Sequence, residues 1–320
     1  MTNSCKRAQI FLITIWVLII ITLLALAIGN KVSLGLRLSR NRQDSFQAAC
    51  IAQAGFATAL NELIKDKPVG FDSLTDVWAD NEGLFGKIKL NDNPSLYSVV
   101  AGMITQDGDK ILKYGMIDEE RKININTASI GTLTALFEKY AKEGAQEKVD
   151  SLLIWRGDKT DDNKIYESLG YLSKSGPLTN TQELILVKGF TKSDLNNLRD
   201  YITVYTNGPV NINTVSYETL EVLSLGVAKE LGVAESFAGS IAAKIIELRQ
   251  IRGYFKNKNE IAIELTGEEE TNIYNKIIDT VVFKSDNFMI EVLGNAGKIK
   301  KRITAVYNRE NNRILFWHES

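Results

Sequence analysis

The side chains best suited to bind an ion are acidic and crowd one short segment. Asp158, Asp161 and Asp162 lie there beside Asn163, and Glu167 follows. Carboxylate and amide oxygens are the ligands that Ca²⁺ takes, about six to eight at a time. Because the segment lacks the spacing and the glycine of an EF-hand, it indicates either a calcium site or a solvated acidic loop. The residues leave both open.

Residues that could carry out catalysis are sparse. His318 is the single histidine and lies two residues from the end. Cys5 and Cys50, the two cysteines, give neither a zinc cluster nor a disulfide framework. No serine lies in a G-x-S-x-G elbow. We therefore expect a protein that is not an enzyme.

Composition narrows the class of protein. The chain has 320 residues, of which 44% are apolar and 24% charged, which predicts a folded globular protein with room for two domains. The 38 basic and 39 acidic residues give a net charge of −1. A nucleic-acid-binding protein usually has a basic excess, so we expect no nucleic-acid partner.

The N-terminal segment predicts a membrane-spanning helix. No charge occurs from Ala8 to Asn30, and Ile10–Ile28 is apolar apart from two threonines. These 19 residues would rise about 28 Å as a helix, close to the roughly 30 Å core of a bilayer. Lys6 and Arg7 precede the segment. Under the positive-inside rule they place the N-terminus in the cytoplasm and export the rest.

The helix is predicted to continue past the membrane. From Val32 to Lys67 no proline occurs, and apolar residues recur at roughly helical spacing among polar ones. A cleavable signal peptide has a shorter apolar core and ends in a small-residue cleavage site. One long helix from Ile10 to about Asp66 is therefore the interpretation that fits, with its first half in lipid and its second half amphipathic.

The segment from Lys6 to Trp16, KRAQIFLITIW, resembles the start of type IV pilin-like precursors. It is most similar to the K subunit of the type II secretion pseudopilus, the general secretion pathway protein K family. The resemblance implies a basic leader, residues 1–8, that prepilin peptidase removes, and methylation of the new N-terminus. The cut would lie between Ala8 and Gln9, where the family normally has glycine in place of Ala8.

The fifth residue after the predicted cut also resembles the K subunit. It is Ile13, where most pilins have a glutamate. A carboxylate in lipid needs a partner, such as the terminal amine of a neighbouring subunit. A subunit with Ile13 has no carboxylate to pair with the next subunit toward the tip of a filament. It is therefore consistent with the tip position that the resemblance implies. A plain membrane anchor would lack the acid as well.

The exported part predicts an α+β fold. Residues 94–120 and 288–317 read as strands separated by turns. We expect these early and late strands to form one small antiparallel sheet packed on the amphipathic half of the long helix. This pilin-like domain would comprise 31–123 and 286–320, and the membrane helix would be 9–30.

A large helical insert, residues 124–285, is predicted to interrupt the sheet, as the resemblance also implies. It contains a repeat, because ININT at 123–127 recurs as VNINT at 210–214. Each copy precedes a helical pattern, and its threonine or asparagine could cap that helix.

The second copy supports a rival interpretation. Residues 210–261 resemble a helix-hairpin-helix module, with which membrane-anchored DNA receptors bind phosphates through backbone N–H groups. The compact Gly-hydrophobic-Gly hairpin is missing, since residues 227–240 take its place, and four glutamates between 264 and 270 would repel phosphates. We therefore interpret the helix-hairpin-helix-like repeats as a packing scaffold.

The resemblance implies a structural role in assembly. A K-type minor pseudopilin is a single-pass protein of the bacterial inner membrane, with its N-terminus in the cytoplasm and its C-terminal domain in the periplasm. It would contact I-type and J-type minor pseudopilins and the major pseudopilin, and would help to initiate and cap the pseudopilus for protein export. Some relatives bind calcium in the insert near the segment corresponding to Asp158–Glu167. The alternatives are a type IV pilus minor pilin and a membrane-anchored DNA receptor.

Overall fold

The computed structural model describes residues 2–66, 70–89, 96–104, 110–141, 143–161, 164–265 and 267–320, and for 2–9, 102–104 and 110–112 it describes the backbone alone. The helices along these residues are α1 (Thr2–Lys65), α2 (Glu82–Phe85), α3 (Ile130–Tyr140), α4 (Ala145–Arg156), α5 (Ile165–Ser168), α6 (Lys192–Leu198), α7 (Tyr217–Leu231), α8 (Ser236–Arg252) and α9 (Glu268–Thr280). The strands are β1 (Ile88–Lys89), β2 (Leu96–Val99), β3 (Ala101–Ile104), β4 (Lys110–Lys113), β5 (Ile117–Asp118), β6 (Ile123–Asn124), β7 (Ile202–Thr203), β8 (Val210–Asn211), β9 (Val281–Val282), β10 (Asn287–Ala296), β11 (Ile299–Asn308) and β12 (Arg313–Glu319).

The long helix α1 forms because nothing in its 64 residues interrupts helical hydrogen bonding, and the first proline of the chain, Pro68, follows its end. In its second half, apolar residues every three or four positions face the sheet. The buried ones include Ala48, Ala52, Phe56, Ala59 and Leu63. The predicted long helix on a small sheet is confirmed.

The antiparallel sheet runs in the order β1-β2-β10-β11-β12, and β5 also pairs with β10. Strands from before and after the insert therefore share one sheet, as predicted. The strands β3 and β4 instead form a separate hairpin. These two strands do not join the main sheet, because β10 pairs with β11 on one side and with β2 and β5 on the other.

The insert consists of two helical units. The first unit, residues 123–203, opens with β6 and closes with β7, and these two strands pair in parallel. The second unit, residues 210–282, opens with β8 and closes with β9, again in parallel. Each unit has an apolar core, and Val222 of the second unit packs into the core of the first. Sequence patterns did not predict the parallel pairs, because a two-residue strand is too short to show alternation.

The repeated sequence forms the same turn in both units. The side-chain oxygen of Asn124 accepts a hydrogen bond from the backbone N–H of Asn126 at 2.8 Å, and Asn211 accepts from Asn213 at 2.9 Å. The helix that follows each turn is capped by a serine and not by the predicted threonine or asparagine: Ser129 precedes α3, and the equivalent serine precedes α7.

The second asparagine of each turn holds a distant segment of its own unit. Asn126 exchanges two hydrogen bonds with the backbone of Leu178, both 2.8 Å long. Asn213 does the same with Phe255, at 2.9 and 2.8 Å. These side chains replace backbone pairing in segments that have no strand partner. The repeat is therefore a structural motif that closes each unit.

The two units meet where α3 crosses α7. A Cβ atom on Gly131 would collide with the carbonyl oxygen of Gly226, and a Cβ atom on Gly226 would lie 2.5 Å from Thr132 Cα. Both contacts are far inside van der Waals distance. Glycine at these two positions is what allows the helices to approach so closely.

Candidate assembly surface

The first half of α1 forms an apolar band, which we define as residues 10–28. All of its side chains are exposed. The helix Ile10–Lys65 contains an 18-residue window with a mean hydropathy of 3.0, none of it buried, and is long and apolar enough to cross a membrane. Exposed apolar surface of this extent needs lipid or other helices to cover it.

Three predicted positions lie at the start of α1. Ile13 is 62% exposed and belongs to the apolar band. Ala8 and Gln9, the predicted cleavage site, lie in the helical backbone, and their side chains fall outside the described ones. Cleavage between them stays a prediction.

The apolar band continues into the head as a narrow outward stripe. Phe46 is 74% exposed and Ile64 is 53% exposed, and Cys50 and Ala57 between them are also exposed. These residues are spaced by four and seven positions, which keeps them on one side of the helix, away from the sheet. A second helix could pack along this stripe.

The outer strand β12 leaves one edge of the sheet open. No described strand pairs with it on the side away from β11. Ile314, Leu315 and Trp317 are 50%, 45% and 39% exposed. Trp317 also contacts Phe56 of α1, with ring centroids 4.9 Å apart. An apolar open edge beside the long helix is a second surface that a partner could cover.

A buried polar junction joins the head to the insert. The carboxylate of Asp118 accepts hydrogen bonds from the hydroxyls of Thr214 and Ser285, the latter at 2.6 Å. The side chain of Asn211 donates to Ser285 Oγ at 2.7 Å and to the Asp118 carboxylate at 3.3 Å. Because Asp118 and Ser285 belong to the head side and Thr214 and Asn211 to the second unit, these bonds fix the insert on the sheet.

The second carboxyl of the junction, Glu120, shares this buried environment. It accepts hydrogen bonds from the backbone and side-chain N–H groups of Asn287, at 3.1 and 2.7 Å. Burial, together with the neighbouring Asp118 charge, raises the pKa of Glu120 to about 9. Burial also raises the pKa of Asp118. With a pKa of about 9, Glu120 keeps its proton at neutral pH.

A third acidic group lies beside the junction. The carboxylate oxygens of Asp66, Asp72 and Asp76 lie within 4.8 Å of one another. The guanidinium of Arg309 already bonds this group, at 2.7 Å from Asp72 and 3.4 Å from Asp66. The positive charge of Arg309 thus offsets part of the negative charge of these three aspartates.

The predicted calcium segment is only partly described, because Asp162 lies outside the described residues. Asp158 pairs with Arg156. Asp161 accepts the backbone N–H groups of residues 165 and 166 at the start of α5, at 2.7 and 3.1 Å. Glu167 lies 3.3 Å from Lys164. The described carboxylates already have protein partners and fit Ca²⁺ poorly in this arrangement, so calcium binding stays a prediction.

The region of the predicted hairpin contains the end of α7, a short connection and the start of α8. Lys229 is held by two carboxylates there, Glu138 at 3.0 Å and Glu235 at 2.8 Å. Glu270 is buried and pairs with Lys244 at 2.7 Å. The cations near this connection are therefore neutralised within the chain, which leaves little charge for a phosphate.

Comparison with solved structures identifies the fold. Over 88% of its length the chain matches 99% of a chain in the crystal structure of the GspK-GspI-GspJ complex from the enterotoxigenic Escherichia coli type 2 secretion system. The TM-score is 0.64 and the sequence identity 14%. This chain has a GspK-like pseudopilin fold.

The GspK-like fold accounts for the mixture of elements described above: a long N-terminal apolar helix, a small antiparallel sheet and further helices. No protein-family model matches the sequence, and no curated protein matches it in sequence. At this identity the likeness concerns the fold.

Proposed function

We propose that this chain is a minor pseudopilin of the K type. It would be a structural subunit that α1 anchors in the inner membrane and that helps to initiate and cap the type II secretion pseudopilus. The observation that carries the proposal is the continuity of α1, in which one helix joins an exposed apolar band to a head with a GspK-like fold. In a secreted protein, the apolar segment would be cleaved from the head. A plain membrane anchor would not need a continuous helix between the membrane and the head.

The proposed partners are the I-type and J-type minor pseudopilins and then the major pseudopilin. The support is that the matched chain was solved in a GspK-GspI-GspJ complex. The outward stripe of α1 and the open edge of β12 are the surfaces we assign to these partners. Co-purification with tagged I-type and J-type subunits tests the assignment, and recovery of type IV pilus subunits in their place would contradict it.

The proposed orientation places the head in the periplasm. The support for this orientation is the pilin-like resemblance of the N-terminal segment. The basic residues near the apolar segment do not by themselves determine the orientation. Lys6 and Arg7 precede that segment, whereas four basic residues follow it before Asp44. A count of basic residues close to a membrane span would by itself favour the opposite orientation. Protease accessibility of the head in intact spheroplasts measures the orientation directly.

The decisive test of the proposal is the mass of the mature N-terminus, with and without co-expressed prepilin peptidase. We expect a cut between Ala8 and Gln9 that depends on the peptidase and leaves the apolar band on the protein, and the mass also shows whether Gln9 is methylated. An intact N-terminus indicates a plain anchor, and a cut near Gly29 indicates a secreted protein. Either result would overturn the proposal.

Two variants at the cut sharpen this test. Ala8→Gly restores the residue that the pilin-like family has there, and we expect faster cleavage. Ala8→Arg places a long charged side chain in a position that takes a small one, and we expect the precursor to persist. Equal cleavage of all three forms would mean that prepilin peptidase does not recognise this site.

A further inference from the structure

Basic side chains gather where the apolar band of α1 enters the head. Lys31, Arg37, Arg40 and Arg42 lie between the uncharged segment and Asp44, with no acidic residue among them. All four are exposed. None of them has an ion pair or a side-chain hydrogen bond with a described residue.

The turn between β10 and β11 adds lysines at the same level. A Cβ atom on Gly297 would lie 2.8 Å from the Asp44 carboxylate, so this turn lies directly against α1. Lys298, Lys300 and Lys301 follow Gly297, and they too have no ion pair with a described residue. Together these residues form a basic collar, which consists of Lys31, Arg37, Arg40, Arg42, Lys298, Lys300 and Lys301.

The position of the basic collar along α1 places it next to the surface of the membrane. At 1.5 Å per residue, Lys31 lies about 4.5 Å beyond Ile28 and Arg42 about 21 Å beyond it. The headgroup layer of a bilayer is about 5–8 Å thick on each side, and the potential of anionic lipids extends roughly another 8 Å. A tilt of about 20° is ordinary for a membrane helix and brings one side of the head closer. Lys31 and Arg37, the latter about 13.5 Å beyond Ile28, therefore lie within reach of lipid charge, and the tilt brings the rest of the collar toward it.

We propose that the basic collar binds the anionic phosphate headgroups of the leaflet on the head's side of the membrane. The inference rests on the proposed anchoring of α1, because only an inserted helix brings the collar to the bilayer. Unpaired basic residues near an anionic surface are attracted by its potential. The contact would hold the head down against the bilayer until the subunit is drawn into a filament. Nucleic acid also carries phosphates, but the collar is continuous with the apolar band, which favours lipid.

Lysine acylation of the full-length protein in vesicles tests the proposal. The reporters are Lys298, Lys300 and Lys301, and the internal controls are the exposed Lys192 and Lys276 of the insert, which have no ion pair with a described residue. Phosphatidylcholine vesicles are compared with vesicles that contain about 30% phosphatidylglycerol. Mass spectrometry gives the labelling rate at each lysine.

We expect the reporters to be labelled at least about threefold more slowly in the anionic vesicles and the controls to be unchanged. The protection should disappear at about 0.5 M salt, where charges are screened. Labelling that is equal in both kinds of vesicle overturns the proposal. So does protection by DNA or by free inorganic phosphate without vesicles, which would identify a different anion.

Charge variants separate the basic collar from the anchor. The triple variant Arg37→Gln, Arg40→Gln, Arg42→Gln should lose most of the protection at the reporters, whereas Lys188→Gln, Arg252→Gln, Lys256→Gln, which leaves the control lysines in place, should retain it. Flotation with phosphatidylcholine vesicles reports the anchor independently. If the protein fails to float, the proposed anchoring fails. If it floats and the collar variant is protected like the wild type, the collar proposal alone fails.

Discussion

The two units of the insert carry the same asparagine turn and use it for different contacts. In the first unit the side chain of Asn124 donates to the backbone carbonyl of Thr206, just beyond the unit. In the second unit the side chain of Asn211 donates to Ser285 and to Asp118, which belong to the head side. The turn of the second unit therefore docks the insert on the head, whereas the turn of the first unit only stabilises its own surroundings. The difference follows from where each turn lies in the chain.

Asp118→Ala should have the largest effect, because it removes the acceptor through which the second unit docks. The hydroxyls of Thr214 and Ser285 would be left buried without their partner. We expect a loss of about 3 kcal/mol of unfolding free energy, seen as a lower melting temperature of the full-length protein in detergent. Hydrogen exchange should increase at residues 210–214.

Asn124→Ala is the matched control for that loss, because it opens the equivalent turn in the first unit. It should cost about 1–2 kcal/mol and increase exchange at residues 123–127 without affecting 210–214. Equal losses and equal exchange patterns in the two variants would mean that the two units are attached in the same way.

Gly226→Ala should have the next largest effect, since it separates the two units. The added methyl group would lie 2.5 Å from Thr132 Cα, and the backbone there has to move. We expect a loss of about 2 kcal/mol. Gly239→Ala in α8 is the control: the nearest atoms lie 3.5 Å away, so it should stabilise the helix by up to about 1 kcal/mol. A neutral Gly226→Ala would mean that α3 and α7 are not tightly packed.

Sequence patterns predicted the long helix, the shared sheet and the repeat, because each depends on local periodicity or on identity between two segments. In the structure, buried and less buried residues alternate along β10 from Phe288 onward, as expected of a strand with one face on the helix. The junction was not predicted. Asp118 and Ser285 are 167 positions apart, and nothing in the local sequence around either residue indicates that they meet.

The pH dependence of the junction also separates the two units. Glu120 has an ordinary pKa of 4.5 and a folded-state pKa of about 9, so between these values the folded protein binds more protons than the unfolded chain. The contribution of Glu120 to stability is then highest at low pH and decreases as the pH rises. Asp118, Asp72 and Arg309 face the same region, and burial raises the pKa of Asp72 in the same direction.

We expect the wild-type protein to lose about 1–2 kcal/mol between roughly pH 6 and pH 9. Glu120→Gln keeps the shape and the acceptor for Asn287 and removes the titrating proton, so its melting temperature should vary less over this range. Because the first unit has no such carboxyl pair at its own turn among the described residues, exchange at residues 123–127 should not follow the pH. A steeper slope in Glu120→Gln would contradict the assignment.

Calcium should have the smallest effect, and only in the first unit. The segment between Arg156 and Leu178 carries the acidic residues, whereas the equivalent segment of the second unit, from Arg249 to Phe255, is short and has no acidic residue. If Ca²⁺ binds, about 1 mM should raise the melting temperature, because a tenfold excess of Ca²⁺ over Kd adds about 1.4 kcal/mol to the free energy of unfolding. Asp158→Asn should abolish the shift, and Asp279→Asn in the second unit should leave it unchanged. No shift in the wild type removes the calcium site, since Arg156 would then be the sufficient partner of Asp158.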